Sequence, residues 1–281
     1  MSGPAVLRHW LRGVWRQRAL RSGLLLTLLV LLVALAGPWL APHGAADFTG
    51  PVYGAPAQGA PLGYDYLGRD VWSRLLLGGW SMVWMTIAAA IIALLAGALL
   101  GLLAAHAGGR IDRALVWCAD VLLAFPNLIL VLLVVSMLGR APWLIVLTTS
   151  IAFLPGMLRL ARSLALGVAS QEFVEAAELL GYSRRHILLR EVLPNILTPL
   201  LVHFGSMMSW AVTILSGLSF LGYGVAPPAA DWGLMINENR AGLQAQPWAV
   251  LAPVLMIVLF ALGANLLADG LARLNARIEQ R

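Results

Sequence analysis

The chain has 281 residues, of which 60% are hydrophobic and only 11% charged, and its mean hydropathy is +0.83. Soluble domains carry charge at about 25% of positions, so an ordinary soluble globular protein is excluded. The formal charge of +6 comes from 19 arginines and no lysine, which excludes a Walker A phosphate loop because that loop needs its lysine.

Backbone polar groups in lipid must be satisfied internally, and roughly 20 apolar residues cross the hydrocarbon as a helix. On that measure the sequence predicts an all-α, polytopic membrane protein with six transmembrane helices. In chain order they lie at 22–41, 80–105, 114–138, 143–165, 197–221 and 247–268. The first follows an arginine-rich segment, 1–21, and contains Ala34-Leu35-Ala36, like a signal cleavage site. Its apolar run continues through Trp39 to Ala41 and five spans follow, so it reads as an uncleaved anchor.

Residues 42–79 then form a loop, first Gly-, Ala- and Pro-rich as an irregular linker, then an amphipathic interfacial helix. Trp72, Trp80 and Trp84 suit a headgroup-level aromatic belt. Residues 80–270 hold the five-helix core, interrupted by a charged loop, 166–196, and a second polar loop, 223–246. Cys118, the one cysteine, lies inside an apolar run and reads as a packing residue. A tail, 271–281, ends the sequence.

Arginines set the expected orientation. With the N-terminus in the cytoplasm, 15 of the 19 fall inside, leaving Arg69, Arg74, Arg140 and Arg240 outside. Both termini and the 166–196 loop are then cytoplasmic, and the positive charge needs no nucleic-acid partner.

That loop contains EFVEAAELLGYSRRHILLREVLPN over 172–195. Glu172 to Leu180 predict a helix with Phe173, Ala176, Ala177 and Leu180 as its apolar stripe. Gly181 allows a left-handed reversal, Ser183 caps a second helix from Arg184 to Val192, and Pro194 closes it. Two capped helices are more than a plain connection between membrane helices requires. They read as a surface for a soluble partner.

The order Glu175-Ala176-Ala177, Gly181, Leu193-Pro194 resembles the EAA signature of ABC importer permeases. Three other segments resemble the dipeptide, oligopeptide and nickel permeases within that group. LGYDYLGRDVWSRLLLGGWS, 62–81, is similar to LGTDxLGRDxxSRxxxGxRxS; DVLLAFPNLIL, 120–130, and SGLSFLGYGVAPPAADWG, 216–233, match two further family segments. Tyr64 and Trp80 stand where the family usually has Thr and Arg, and Glu191 where it often has Ile.

The resemblance, in the order of a C-type permease, implies the type I ABC importer permease fold. It implies residence in the cytoplasmic membrane of a prokaryote and import of di- or oligopeptides, with nickel or a metal chelate as the alternative. It implies four kinds of contact: a second homologous permease, two ATPase subunits that hold ATP and Mg, an extracytoplasmic solute-binding protein, and lipid. Catalysis and cofactors would lie on partners. ATPase coupling would fall to Glu172, Glu175, Ala176, Ala177, Gly181, Arg184, Arg185, Leu193 and Pro194.

Asp231, Trp232, Glu238 and Arg240 in the 223–246 loop are candidates for binding-protein contact, or for an interfacial re-entrant anchor. Within the spans, Asp120 is a candidate for pairing with Arg113 or Arg162, His203 for pore lining or interhelical packing, and Pro126 and Pro155 for kinks. The five histidines show no metal-ligand spacing. An ion-gradient transporter would show paired intramembrane carboxylates, and a membrane enzyme a nucleophile or metal motif; neither pattern is present, and neither class explains the insert.

Overall fold

The computed structural model describes residues 17–279; the arginine-rich start over 1–16, and Gln280 and Arg281, lie outside them. The helices are α1 (Arg18–Leu40), α2 (Val71–Ala107), α3 (Gly109–Leu123), α4 (Asn127–Leu138), α5 (Pro142–Ala169), α6 (Glu172–Leu179), α7 (Leu193–Phe220), α8 (Trp232–Asn239) and α9 (Trp248–Glu279). Among the described residues five helices are long and apolar enough to cross a bilayer, and a bent pair, counted as one span, makes six. Their alternation places loops 41–70 and 221–247 at one end of the bundle, the cap end. The turn at 108 and the segment 170–192 lie at the other, the insert end.

The bundle is organised by α2 against α5 and by α9 between α1 and α7. One apolar core, around Trp232, Phe260, Met82 and Leu218, lies toward the cap. A second, around Met157, Ile196 and Leu200, extends into the insert. On α1, Leu24, Leu25, Leu28, Leu29, Leu32 and Leu35 stay exposed, as a lipid-facing stripe should.

Several expected boundaries move, each for a local reason. No separate interfacial helix precedes the second span. Residues 62–70 are turns pinned by bridges between Tyr64 and Asp70 and between Phe48 and Arg69. Asp70 then starts α2 by accepting from the N–H groups of Trp72 at 3.1 Å and Ser73 at 3.0 Å. The helix runs 37 residues, about 56 Å and well beyond a hydrocarbon layer of about 30 Å.

The expected span 114–138 is broken: α3 and α4 meet at 84°. Pro126 lies at the break in extended geometry, and it disfavours helix in the residue before it. Pro155 is instead carried inside α5 without ending it. Cys118, expected to pack inside, is exposed on α3, because the break turns that helix away from the core.

Pro194 does not close the insert. Arg184–His186 pass into a π-helical turn, Ile187–Val192, in which the Leu193 N–H bonds to the Leu188 carbonyl, and α7 follows directly. The proline sits where the π turn passes into α7, and helical backbone continues through it. The expected linker over 42–63 lacks helix and strand but is well tied. Tyr64 N–H bonds to Gly54 O at 3.0 Å, and Gln246 Nε2 donates to the same oxygen at 2.7 Å.

Candidate functional site

The insert is built so that one face is fastened and the other is left open. α6 ends in a Schellman motif: Gly181 sits at φ +80°, its N–H bonds to Glu178 O at 2.9 Å, and Tyr182 N–H bonds to Ala177 O at 3.2 Å. Ser183 Oγ accepts from the His186 N–H at 3.3 Å, so the expected reversal and cap both form. The Tyr182 and His186 rings stack with centroids 4.7 Å apart, which stiffens the corner.

Val174, Ala177, Ile187 and Val192 are buried against Ala161 and Ala165 of α5 and Ile196 of α7. The stripe is therefore not the expected one. Ala177 faces inward, but Phe173, Ala176 and Leu180 face outward, because Val174 with Ala177 makes the i, i+3 pair that meets α5.

What remains outside is apolar as well as charged. Leu179 is 84% exposed and Leu180 76%, with Phe173, Tyr182 and Leu189 beside them. Glu172, Glu175, Glu178, Arg184, Arg185 and Arg190 are exposed on the same insert, and none takes part in an ion pair among the described residues. Exposed apolar surface beside charge is the kind that protein or membrane contacts use. Leu193 is half-buried and Pro194 exposed where the insert joins α7.

The cap end is organised in the opposite way. Arg69 Nε bonds to Asp65 Oδ2 at 2.7 Å and Arg74 Nη1 reaches the same oxygen at 3.1 Å. Their other nitrogens meet Glu238 Oε2 at 2.9 Å and 2.8 Å. Two cations and two anions thus close a ring that ties the 62–74 segment to α8, with Arg74 and Asp65 each only 1% exposed. Tyr66 adds its hydroxyl to Glu238 Oε1 at 3.2 Å. Burial pushes the Glu238 carboxyl above its ordinary range, against the pull of Arg69.

Next to the ring, the Trp232 indole is fully buried and donates to Leu75 O at 2.8 Å. It fits because α2 has glycine at 79; a Cβ there would lie 2.7 Å from Trp232 Cζ2. Asp231 is also fully buried, capping α8 through the Leu234 N–H at 3.1 Å and receiving Ser81 Oγ at 3.3 Å. Burial raises its pKa, opposed by these hydrogen bonds. The surface role expected of Asp231 and Trp232 is thus corrected to a packing role, and Glu238 is held in the ring; Arg240 alone of the four is exposed.

Residues 97–277 match the family described as the binding-protein-dependent transport system inner membrane component. The chain belongs to that family. It is similar to a protein of Brucella suis biovar 1 (strain 1330) named for a peptide transport system permease, with 34% identity over 95% of this chain and 90% of the relative. It is also similar to the glutathione transport system permease protein GsiD of Escherichia coli O157:H7, with 35% identity over 91% of this chain and 85% of that one. The protein is a multi-span inner-membrane permease, and its helical bundle agrees with the six-span fold expected.

The permease's intramembrane candidates are placed separately. Asp120 pairs with Arg159 at 3.0 Å on the surface, not with Arg113 or Arg162. Arg162 is taken by Asp112, with Nη2 to Oδ2 at 2.6 Å, and Arg113 turns back to Gly109 O at 3.2 Å. His203 is half-buried on α7, its Nε2 4.0 Å from where a Cβ on Gly156 of α5 would be. Pro126 marks the α3–α4 break.

Asp65, Arg69 and Arg74 lay in the 62–81 segment without being given a role, although opposite charges at i and i+4 in an apolar chain were a signal. Leu179, Tyr182 and Leu189 lay in the insert read as a surface but were not singled out.

Proposed function

We propose that this permease is the pore-forming subunit of an ATP-driven importer of di- and oligopeptides. It would pair with a second, homologous permease. The insert end faces the cytoplasm with both termini, and the cap faces outward toward a solute-binding protein. The chain itself carries no catalytic group or cofactor; ATP and Mg belong to two ATPase subunits that dock on Glu172–Val192.

The observation that carries this reading is the insert, anchored by Val174, Ala177, Ile187 and Val192 yet open at Leu179, Leu180 and six charges with no ion partner among the described residues. A body so fastened passes a partner's movement to α5 and α7, and so biases a two-state pore. Glu172, Glu175, Ala176, Arg184 and Arg185 are the exposed contacts, while Ala177, Gly181, Leu193 and Pro194 hold the shape. Relatives named for peptide and glutathione transport support peptides over the nickel or metal-chelate alternative. Arg240 is the remaining candidate for contact with the binding protein.

Reconstitution with the ATPase and binding-protein subunits tests this. Gly181→Pro cannot adopt the positive φ and should abolish both ATPase co-purification and ATP-dependent peptide uptake, while the permease still inserts in the membrane. Retention of both activities would sink the docking assignment.

A further inference from the structure

One surface of the bundle does not suit lipid. Between α7 and α9 lies a groove of about 290 Å³ lined by Ser206, Ser209, Trp210, Thr213 and Asn265. Every lining side chain can hydrogen-bond, in a chain that is 60% hydrophobic. Ser206 falls at the middle of α7, about 20 Å from either end of that helix, so the groove lies deep in the bilayer. The exposed side chains of α1 at comparable positions are leucines. Polar groups at that depth face protein or water rather than hydrocarbon.

The groove belongs to a longer stripe. His203, Ser206, Trp210, Thr213 and Gly217 recur at intervals of three and four, so they share one face of α7. Its flanks are made by neighbours already in place: Gly156 of α5 beside His203, and Leu128 of α4 near Gly217. Its floor is the contact of α7 with α9, where Gly205 meets Ala268 and Ser209 Oγ donates to Ala261 O at 3.0 Å. The small residues that let helices approach are thus spent inside the subunit. What faces outward is a Trp210 ring that is 64% exposed, with exposed Thr213 and Asn265.

Resting on the peptide-importer reading above, we infer that this groove is this subunit's share of the solute path and that it contacts the main chain of the passing peptide. Thr213 Oγ1 donates to Ser209 O at 3.1 Å, which leaves its lone pairs free for a peptide N–H. Asn265 offers both a donor and an acceptor, the pair an amide presents in return. No lining residue is charged, so neither terminus of a zwitterionic peptide is trapped. A path must bind weakly enough to release. The Trp210 face takes side chains of varied shape, as a sequence-tolerant carrier needs.

The test uses the assembled transporter in membrane vesicles, in a Cys118→Ser background. Single cysteines replace Ser206, Thr213 or Asn265, with Leu25→Cys on the lipid-facing side of α1 as control. The probe is a water-soluble cationic methanethiosulfonate, which reacts with thiolate and therefore with thiols that water reaches. The groove cysteines should label at least about tenfold faster than Leu25→Cys, and a tripeptide mixture, but not sucrose, should slow them. Labelling as slow as the control overturns the assignment. So does disulfide cross-linking to the second permease without labelling, which would make the groove a subunit seam. Fast labelling indifferent to tripeptides that are still imported also overturns it and leaves the importer reading intact. Fast, unprotected labelling with no tripeptide uptake instead defeats the peptide reading and with it the peptide contact.

Discussion

At the cap end, Asp65, Arg69, Arg74 and Glu238 are almost inaccessible and satisfy one another. At the insert end, Glu172, Glu175, Glu178, Arg184, Arg185 and Arg190 are exposed and find no ion partner among the described residues. The sequence contains much the same charge types in both places. Their surroundings separate them: charges closed into a ring hold two chain segments together, whereas charges left open wait for another molecule. The cap is architecture, and the insert is the surface proposed for a partner.

The sharpest way to break this contrast is Arg74→Met. It leaves Glu238 and Asp65 short of a cation in a buried site and should destabilise the permease by about 3–5 kcal/mol. Thermal unfolding in detergent would measure it, and Glu238→Met added to Arg74→Met should recover part of the loss. Next, Gly79→Val should cost about 1–3 kcal/mol by the same assay, because the added carbons collide with Trp232.

Asp231 gives a smaller, pH-dependent effect. Its folded pKa lies above the ordinary carboxylate value, so between the two the folded state holds a proton that the unfolded state has lost. Stability at this site therefore falls as pH rises through that window, by at most about 1.4 kcal/mol per pH unit. Asp231→Asn should flatten that slope; an unchanged slope would remove Asp231 as its source. The smallest effect on stability is expected from Arg184→Met with Arg185→Met, within about 0.5 kcal/mol, although ATPase binding should be lost. A loss as large as that of Arg74→Met would erase the distinction between the two ends.

Much of the bundle was legible because its signals are local. Apolar runs of sufficient length located the spans, Gly181 and Ser183 marked the corner of the insert, and Pro126 marked a weak point in the third span. The cap was not legible because its partners are remote. Arg74 meets Glu238 across 164 residues, and Trp232 meets the Leu75 carbonyl across 157. Taken alone, Asp231 and Trp232 have the polarity of a membrane interface; only the space above Gly79 makes them interior. Pro194 misled for a different reason. A proline need not end a helix, and here the backbone is helical on both sides of it, with the π turn just before it.

The π turn at Ile187–Val192 also sets a rotational phase. Each residue of an α-helix advances the chain by about 100° around its axis, and a π turn accommodates one more residue than the regular ladder would. Removing one residue there would leave every contact within α6 and within α7 intact, yet turn one against the other by roughly a quarter of a revolution. Leu179 and Leu180 would swing away from their present heading while Val174 and Ala177 left α5. The six residues of that turn thus act as an index mark, fixing the compass direction in which the permease presents its surface to a partner.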